Sequence, residues 1–127
     1  MEHPPVIDPR DPLVERVRGL CLGYPEAAEV MSWGRPTFRA GKRIFVMVGS
    51  SMDRPYTIVF KPDPADRPAL VQDDRFFSPP YWGAMGWLAI DIDRPDNDWT
   101  ELAELIDASY RLVALRRQLR ELDARSS

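Results

Sequence analysis

Cysteine and histidine are nearly missing from this chain: Cys21 is the single cysteine and His3 the single histidine among 127 residues. One thiol excludes an internal disulfide, and no Cys/His spacing of the kind that holds a metal exists. A serine nucleophile needs a base within hydrogen-bond reach. The only histidine on offer, His3, lies in a Pro-rich N-terminal stretch. Long apolar runs are missing too, and none approaches the ~20 residues that span a bilayer. The opening Met-Glu-His-Pro-Pro-Val-Ile-Asp-Pro has neither a basic nor an apolar signal region, so no signal peptide is expected and the cytoplasm is the expected compartment. Phosphate loops, dinucleotide fingerprints and internal repeats do not occur. No enzymatic activity, cofactor or metal is therefore expected. The formal net charge is −3, so any nucleic-acid surface has to be a local patch rather than a global field.

What is present suits one ordinary soluble domain, with 44% apolar and 29% charged residues. Nine of the 13 prolines gather at residues 4–12, 62–68 and 79–80 and punctuate the chain. Residues 1–10 are expected to be a flexible Pro-rich segment, 11–122 a single domain and 123–127 a flexible tail.

Asp11-Pro12 reads as an N-cap followed by Pro at the first helical position. Leu13, Val14, Val17, Leu20 and Cys21 then recur at helical spacing until Gly23 and Pro25. Cys21 falls on the apolar face as a small buried hydrophobe. Residues 28–33 alternate weakly, Thr37–Ala40 is a short extended piece, and Ala40-Gly41-Lys42 is a turn. Ile44–Val48 and Tyr56–Lys61 predict a strand hairpin. Residues 68–71 predict a short helix. Residues 76–82 read as a structured loop with room for a strand. Trp87–Ile92 predicts a strand with Leu88, Ile90 and Ile92 on one face and Trp87, Ala89 and Asp91 on the other. Asp98, with Glu101 three residues on, opens a last amphipathic helix through Leu102, Leu105, Ile106, Ser109, Leu112 and Val113. Leu115, Leu119 and Leu122 extend its pattern but rotate around it, so the charged end is expected to project beyond the core. The expected fold class is α+β: a two-layer sandwich in which an antiparallel sheet is backed by an N-terminal helix, a short middle helix and a long C-terminal helix.

Five sequence elements in order carry a family resemblance. They are Trp33-Gly34-Arg35-Pro36-Thr37-Phe38-Arg39, Gly41-Lys42-Arg43-Ile44-Phe45, Phe60-Lys61, Tyr81-Trp82-Gly83 with Trp87, and Ser109-Tyr110-Arg111-Leu112-Val113. With them the chain resembles the MmcQ/YjbR family of small proteins. The resemblance implies an antiparallel sheet backed by helices, likened to frataxin-type and secretion-chaperone-like folds. It also implies the DNA-binding label the family commonly carries from a double-wing-like fold, which is analogy of fold rather than of chemistry.

Two binding sites emerge. Arg35, Arg39, Lys42 and Arg43 flank a turn with no acid between them, and with Lys61 they would meet DNA phosphates weakly and salt-sensitively, aided by the Arg116–Arg120 face. The alternative for these cations is a solvated hairpin edge that discourages edge pairing. The second site is an aromatic cleft around Tyr81, Trp82 and Trp87 for a small ligand or a protein. Trp33, Phe38 and Tyr110 are expected to pack the core. Ser109 is expected where helix and sheet approach closely. Asp91 and Asp93 share a strand face but fit no calcium-loop spacing, and read as solvated carboxylates.

Overall fold

The computed structural model describes residues 5–125; residues 1–4, including His3, and residues 126–127 lie outside the described residues. The described residues form an α+β fold with one antiparallel sheet. Its strands are β1 (Ala27–Ser32), β2 (Arg35–Ala40), β3 (Arg43–Val48), β4 (Thr57–Phe60), β5 (Phe76–Phe77) and β6 (Leu88–Asp91). In the sheet they run β1-β2-β3-β4-β6-β5, every neighbouring pair antiparallel. The helices are α1 (Pro12–Cys21), α2 (Arg67–Val71), α3 (Trp99–Val113) and α4 (Arg116–Ala124). Weakly patterned residues 28–33 do form a strand, and the room left near residue 76 is filled by two-residue β5.

Local chemistry sets the helix starts. The Asp11 side chain accepts from the Leu13 N–H at 2.9 Å, and Pro12 needs no donor partner at the first helical position. Asp98 likewise accepts from the Thr100 N–H at 2.9 Å. Glu101 does not fold back onto this cap. It pairs with Arg75 at 2.8 Å, a stronger contact for a carboxylate than a backbone amide.

The main core lies between one sheet face and helices α1 and α3. Val14, Val17 and Cys21 of α1 and Leu102, Ile106 and Tyr110 of α3 are fully buried there. The strands contribute Phe38, Phe45, Val46, Ile58, Phe60 and Ile90. Each such side chain contributes roughly 1.5–3 kcal/mol of burial. Phe45 and Val46 are adjacent yet both enter this core, because the β2–β3 register jumps between Phe38↔Val46 and Arg39↔Ile44 and leaves Phe45 unpaired. Ser109 of α3 bridges β3 to the end of β4: its hydroxyl donates to the Phe45 carbonyl and accepts from the Lys61 N–H. β6 alternates as its pattern predicts, with Leu88 and Ile90 in the helix-side core and Trp87 and Ala89 in a second cluster on the opposite sheet face.

Three expectations change. Residues 5–10 are not free: Val6 and Ile7 are buried, and the Val6 N–H donates to the Gly34 carbonyl at 2.8 Å. Two β-branched side chains among prolines suffice to lay this segment on the fold. The last helix breaks at Ala114 and Leu115, both extended (ψ 151° and 159°). The break lets the rotated stripe of Leu119 and Leu122 turn back onto the core instead of projecting from it. Gln118 is buried at the break and its carbonyl accepts from the Leu115 N–H at 2.8 Å. Residues 123–125 are attached too. Asp123 and Ala124 complete α4, and Arg125 donates to the Gly23 carbonyl at 2.6 Å.

Candidate ligand-binding cleft

Among the described residues, no α-helix layer covers the sheet face away from α1 and α3. Cross-strand register lines up Val30, Thr37, Met47, Val59, Ala89 and Phe77 across it, one from each strand. Residues 78–87 loop back over the middle of this row. Trp82 and Trp87 meet edge-to-face at 4.8 Å and cover Met47, Val59 and Ala89. Gly83 sits in the loop because a Cβ there would lie 1.9 Å from the Ser78 hydroxyl. Between this loop, the β1–β2 turn and residues 50–52 opens a cleft of about 720 Å³, a size usual for small-molecule sites.

Trp33 forms one rim. It was expected in the core, but it is 45% exposed. Ser32 and Arg35 pair across a two-residue turn in which Trp33 and Gly34 both have positive φ (55° and 78°). That is the hairpin turn compatible with strand twist, and it holds its first central side chain outside the sheet layers. The Trp33 ring instead meets Trp82 edge-to-face at 6.3 Å. Phe38 and Tyr110 are in the core as expected, with the Tyr110 hydroxyl donating to the Pro25 carbonyl at 2.7 Å.

Tyr81 forms the opposite rim and is 91% exposed. Its backbone is at φ 63°, ψ −56°, and the Trp82 N–H closes onto the Pro80 carbonyl at 2.7 Å. This is the rare γ-turn of positive φ, a strained conformation for any residue but glycine. Exposed Met52 and Met85 complete a mostly apolar lining.

Among the described residues, Arg35 is the single charged one lining this cleft. Its Nη1 donates to the carbonyls of Gly49 (2.6 Å) and Ser50 (3.2 Å), and its Nε makes a long contact to the Trp33 carbonyl (3.4 Å). Partial burial pushes the guanidinium pKa down, with no carboxylate to oppose the shift. Arg35 stays cationic, since arginine starts so high.

The other predicted cations do not converge on the cleft. Arg39 lies farther along β2, donating to the Ser32 hydroxyl at 2.9 Å and to Thr37 Oγ1 at 3.3 Å. Lys42 and Arg43 are exposed at the β2–β3 turn, the far end of the strand from Arg35. Lys61 is half-buried just past β4. The predicted basic wing is therefore split along β2. Its members do share one property: among the described residues, none of Arg35, Arg39, Lys42, Arg43 or Lys61 is paired with a carboxylate. Elsewhere arginines are engaged, Arg18 with Glu29 at 2.6 Å, Arg75 with Asp73 at 2.7 Å and Arg117 with Glu26 at 2.9 Å. Of the acids near residue 91, Asp91 pairs with Arg54 at 2.6 Å and Asp96 with Arg94 at 3.2 Å, while Asp93 is exposed.

The family model named YjbR matches residues 22–112. The chain belongs to the YjbR family. That match covers the sheet, both cleft rims and most of α3. A crystal structure of the Deinococcus radiodurans protein DR2400, a DUF419 domain, is similar in fold, with a TM-score of 0.68, 21% identity and 87% of each chain covered. No curated protein matches the chain. This YjbR chain carries residues in its cleft that sequence reading passed over. Ser50, Ser51 and Met52 read only as a loop, and Met85 drew no notice. The Trp-Gly pair between two extended pieces was the available signal for an outward Trp33.

Proposed function

We propose that this chain is a non-enzymatic binding module and that its site is the cleft on the sheet face away from α1 and α3. The observation that carries this reading is the joint exposure of Trp33 and Tyr81, at 45% and 91%, across a cleft of about 720 Å³. Exposed aromatics rimming a concave apolar surface favour a ligand with a flat or apolar body, since stacking on one ring contributes ~1–3 kcal/mol. Intrinsic tryptophan fluorescence tests it. A compound that binds should shift the emission of Trp33 and Trp82 and raise the melting temperature, and Trp82→Ala should reduce both responses. A broad compound panel that leaves fluorescence and melting unchanged would sink the reading.

Nucleic-acid binding is the second reading, favoured by the lack of carboxylate partners around Arg39, Lys42, Arg43 and Lys61 among the described residues. A labelled DNA duplex should shift in a gel at ~50 mM salt, where phosphate contacts are strongest. Arg39→Glu with Arg43→Glu should abolish the shift. No shift of the unmutated protein at that salt would dismiss it.

A further inference from the structure

We infer that the cleft selects a singly charged apolar carboxylate, its body between Trp33, Tyr81 and Trp82 and its carboxylate on Arg35. This rests on reading the cleft as a ligand site, and it adds the ligand's charge and head group.

Among the described residues, the cleft wall contains one cation and no acid. Arg35 is half-buried, and among the described residues only backbone carbonyls accept from it. Carbonyl dipoles ease the desolvation of a guanidinium without neutralising it. An anion entering the cleft would therefore gain an opposite charge in a partly dry setting, where a charged hydrogen bond is worth more than in water.

Donor geometry narrows the head group. Nη1 is committed to Gly49 and Ser50, whereas Nη2 makes no hydrogen bond among the described residues and the Nε contact is long at 3.4 Å. Nε and Nη2 form one edge of the fork, the edge that takes two carboxylate oxygens side by side. The Ser51 side chain lines the same cleft and its hydroxyl makes no hydrogen bond among the described residues. A phosphate dianion asks for more positive charge than one guanidinium supplies. Arg39, the nearest cation along β2, is turned to Ser32 and Thr37 and does not line the cleft. A single negative charge matches the single positive one.

The apolar lining narrows the rest. Met47, Met52 and Met85 are adaptable surfaces, and the Trp33 and Trp82 rings are flat ones. A compact aromatic acid fits both.

Calorimetric titration with 2-naphthoate and its neutral isostere 2-naphthamide tests the inference on the unmodified full chain. The acid should bind about tenfold or more tighter than the amide. Arg35→Gln should remove that preference by weakening the acid far more than the amide, while Trp82→Ala should weaken both. Equal binding of acid and amide to the unmodified chain overturns the carboxylate inference and leaves the cleft reading standing. No heat from either compound overturns both. A dimer in sedimentation that Met85→Asp dissolves and naphthoate does not compete away overturns both in favour of a second copy covering this face.

Discussion

Ser109 Oγ donates to the Phe45 carbonyl at 2.6 Å. The same oxygen accepts from the Lys61 N–H at 2.9 Å, so one hydroxyl of α3 stands in for a ladder bond just past the last β3–β4 pair, Val46↔Phe60. Both ends of the bridge are backbone groups, the Phe45 carbonyl inside the core and the Lys61 N–H at its part-buried edge. Ser109→Ala should therefore cost about 1–3 kcal/mol in urea unfolding, the penalty of leaving buried polar groups unmade. A change within measurement error would show that water takes the hydroxyl's place.

Tyr81 allows a test by sign. At an ordinary exposed position glycine is less stable than alanine by roughly 0.5–1 kcal/mol. At Tyr81, with φ 63° and ψ −56°, the order should reverse. Tyr81→Gly should be more stable than Tyr81→Ala by about 1 kcal/mol, because only glycine adopts that γ-turn without strain. Both variants should weaken ligand binding alike, since both remove the ring. Paired unfolding curves settle the order.

Ile7 is buried although it lies in a Pro-rich segment. Ile7→Ala should destabilise the domain by about 2–4 kcal/mol, the usual cost of truncating a buried aliphatic side chain. A loss below ~0.5 kcal/mol would return residues 5–10 to the flexible tail their composition suggests.

Acid should weaken the fold, and Glu26 shows why. Hydrogen bonds from Arg117 hold its carboxyl below the ordinary value of 4.5. The folded state then binds fewer protons than the unfolded one. The contribution is complete above about pH 5 and is lost as pH falls through the folded value. Asp73 beside Arg75 and Asp96 beside Arg94 shift in the same direction for the same reason. Arg117→Ala should make the fall of unfolding midpoint between pH 5 and about pH 3 shallower. Added salt should shrink the difference, because the Glu26–Arg117 pair is exposed.

Much of the fold was legible in local pattern. Asp11-Pro12 and Asp98 mark helix starts because capping is a contact between residues two apart. The alternation of Leu88, Ala89 and Ile90 separates the two sheet faces because strand geometry has a period of two. The five motif elements were enough for the family. Other features depended on partners distant in sequence. The burial of Val6 and Ile7 needs the Gly34 turn, and the break before Gln118 needs a core for Leu119 and Leu122 to return to.

The candidate site divides in the same way. By itself the sequence determined that the chain has a single domain's worth of core, a carboxylate-free run of cations from Arg35 to Arg43, and aromatics at 33, 81, 82 and 87. Only the tertiary structure decided how these are shared out. The hairpin turn at Trp33-Gly34 carries one aromatic outward, and the return of residues 78–87 over β3 and β6 brings Trp82 within 6.3 Å of it. Arg35 is left at the cleft while Lys42 and Arg43 go to the other end of β2. Charge and aromaticity belong to residues, but a cleft belongs to the distances between them, and those are set by how the chain packs on itself.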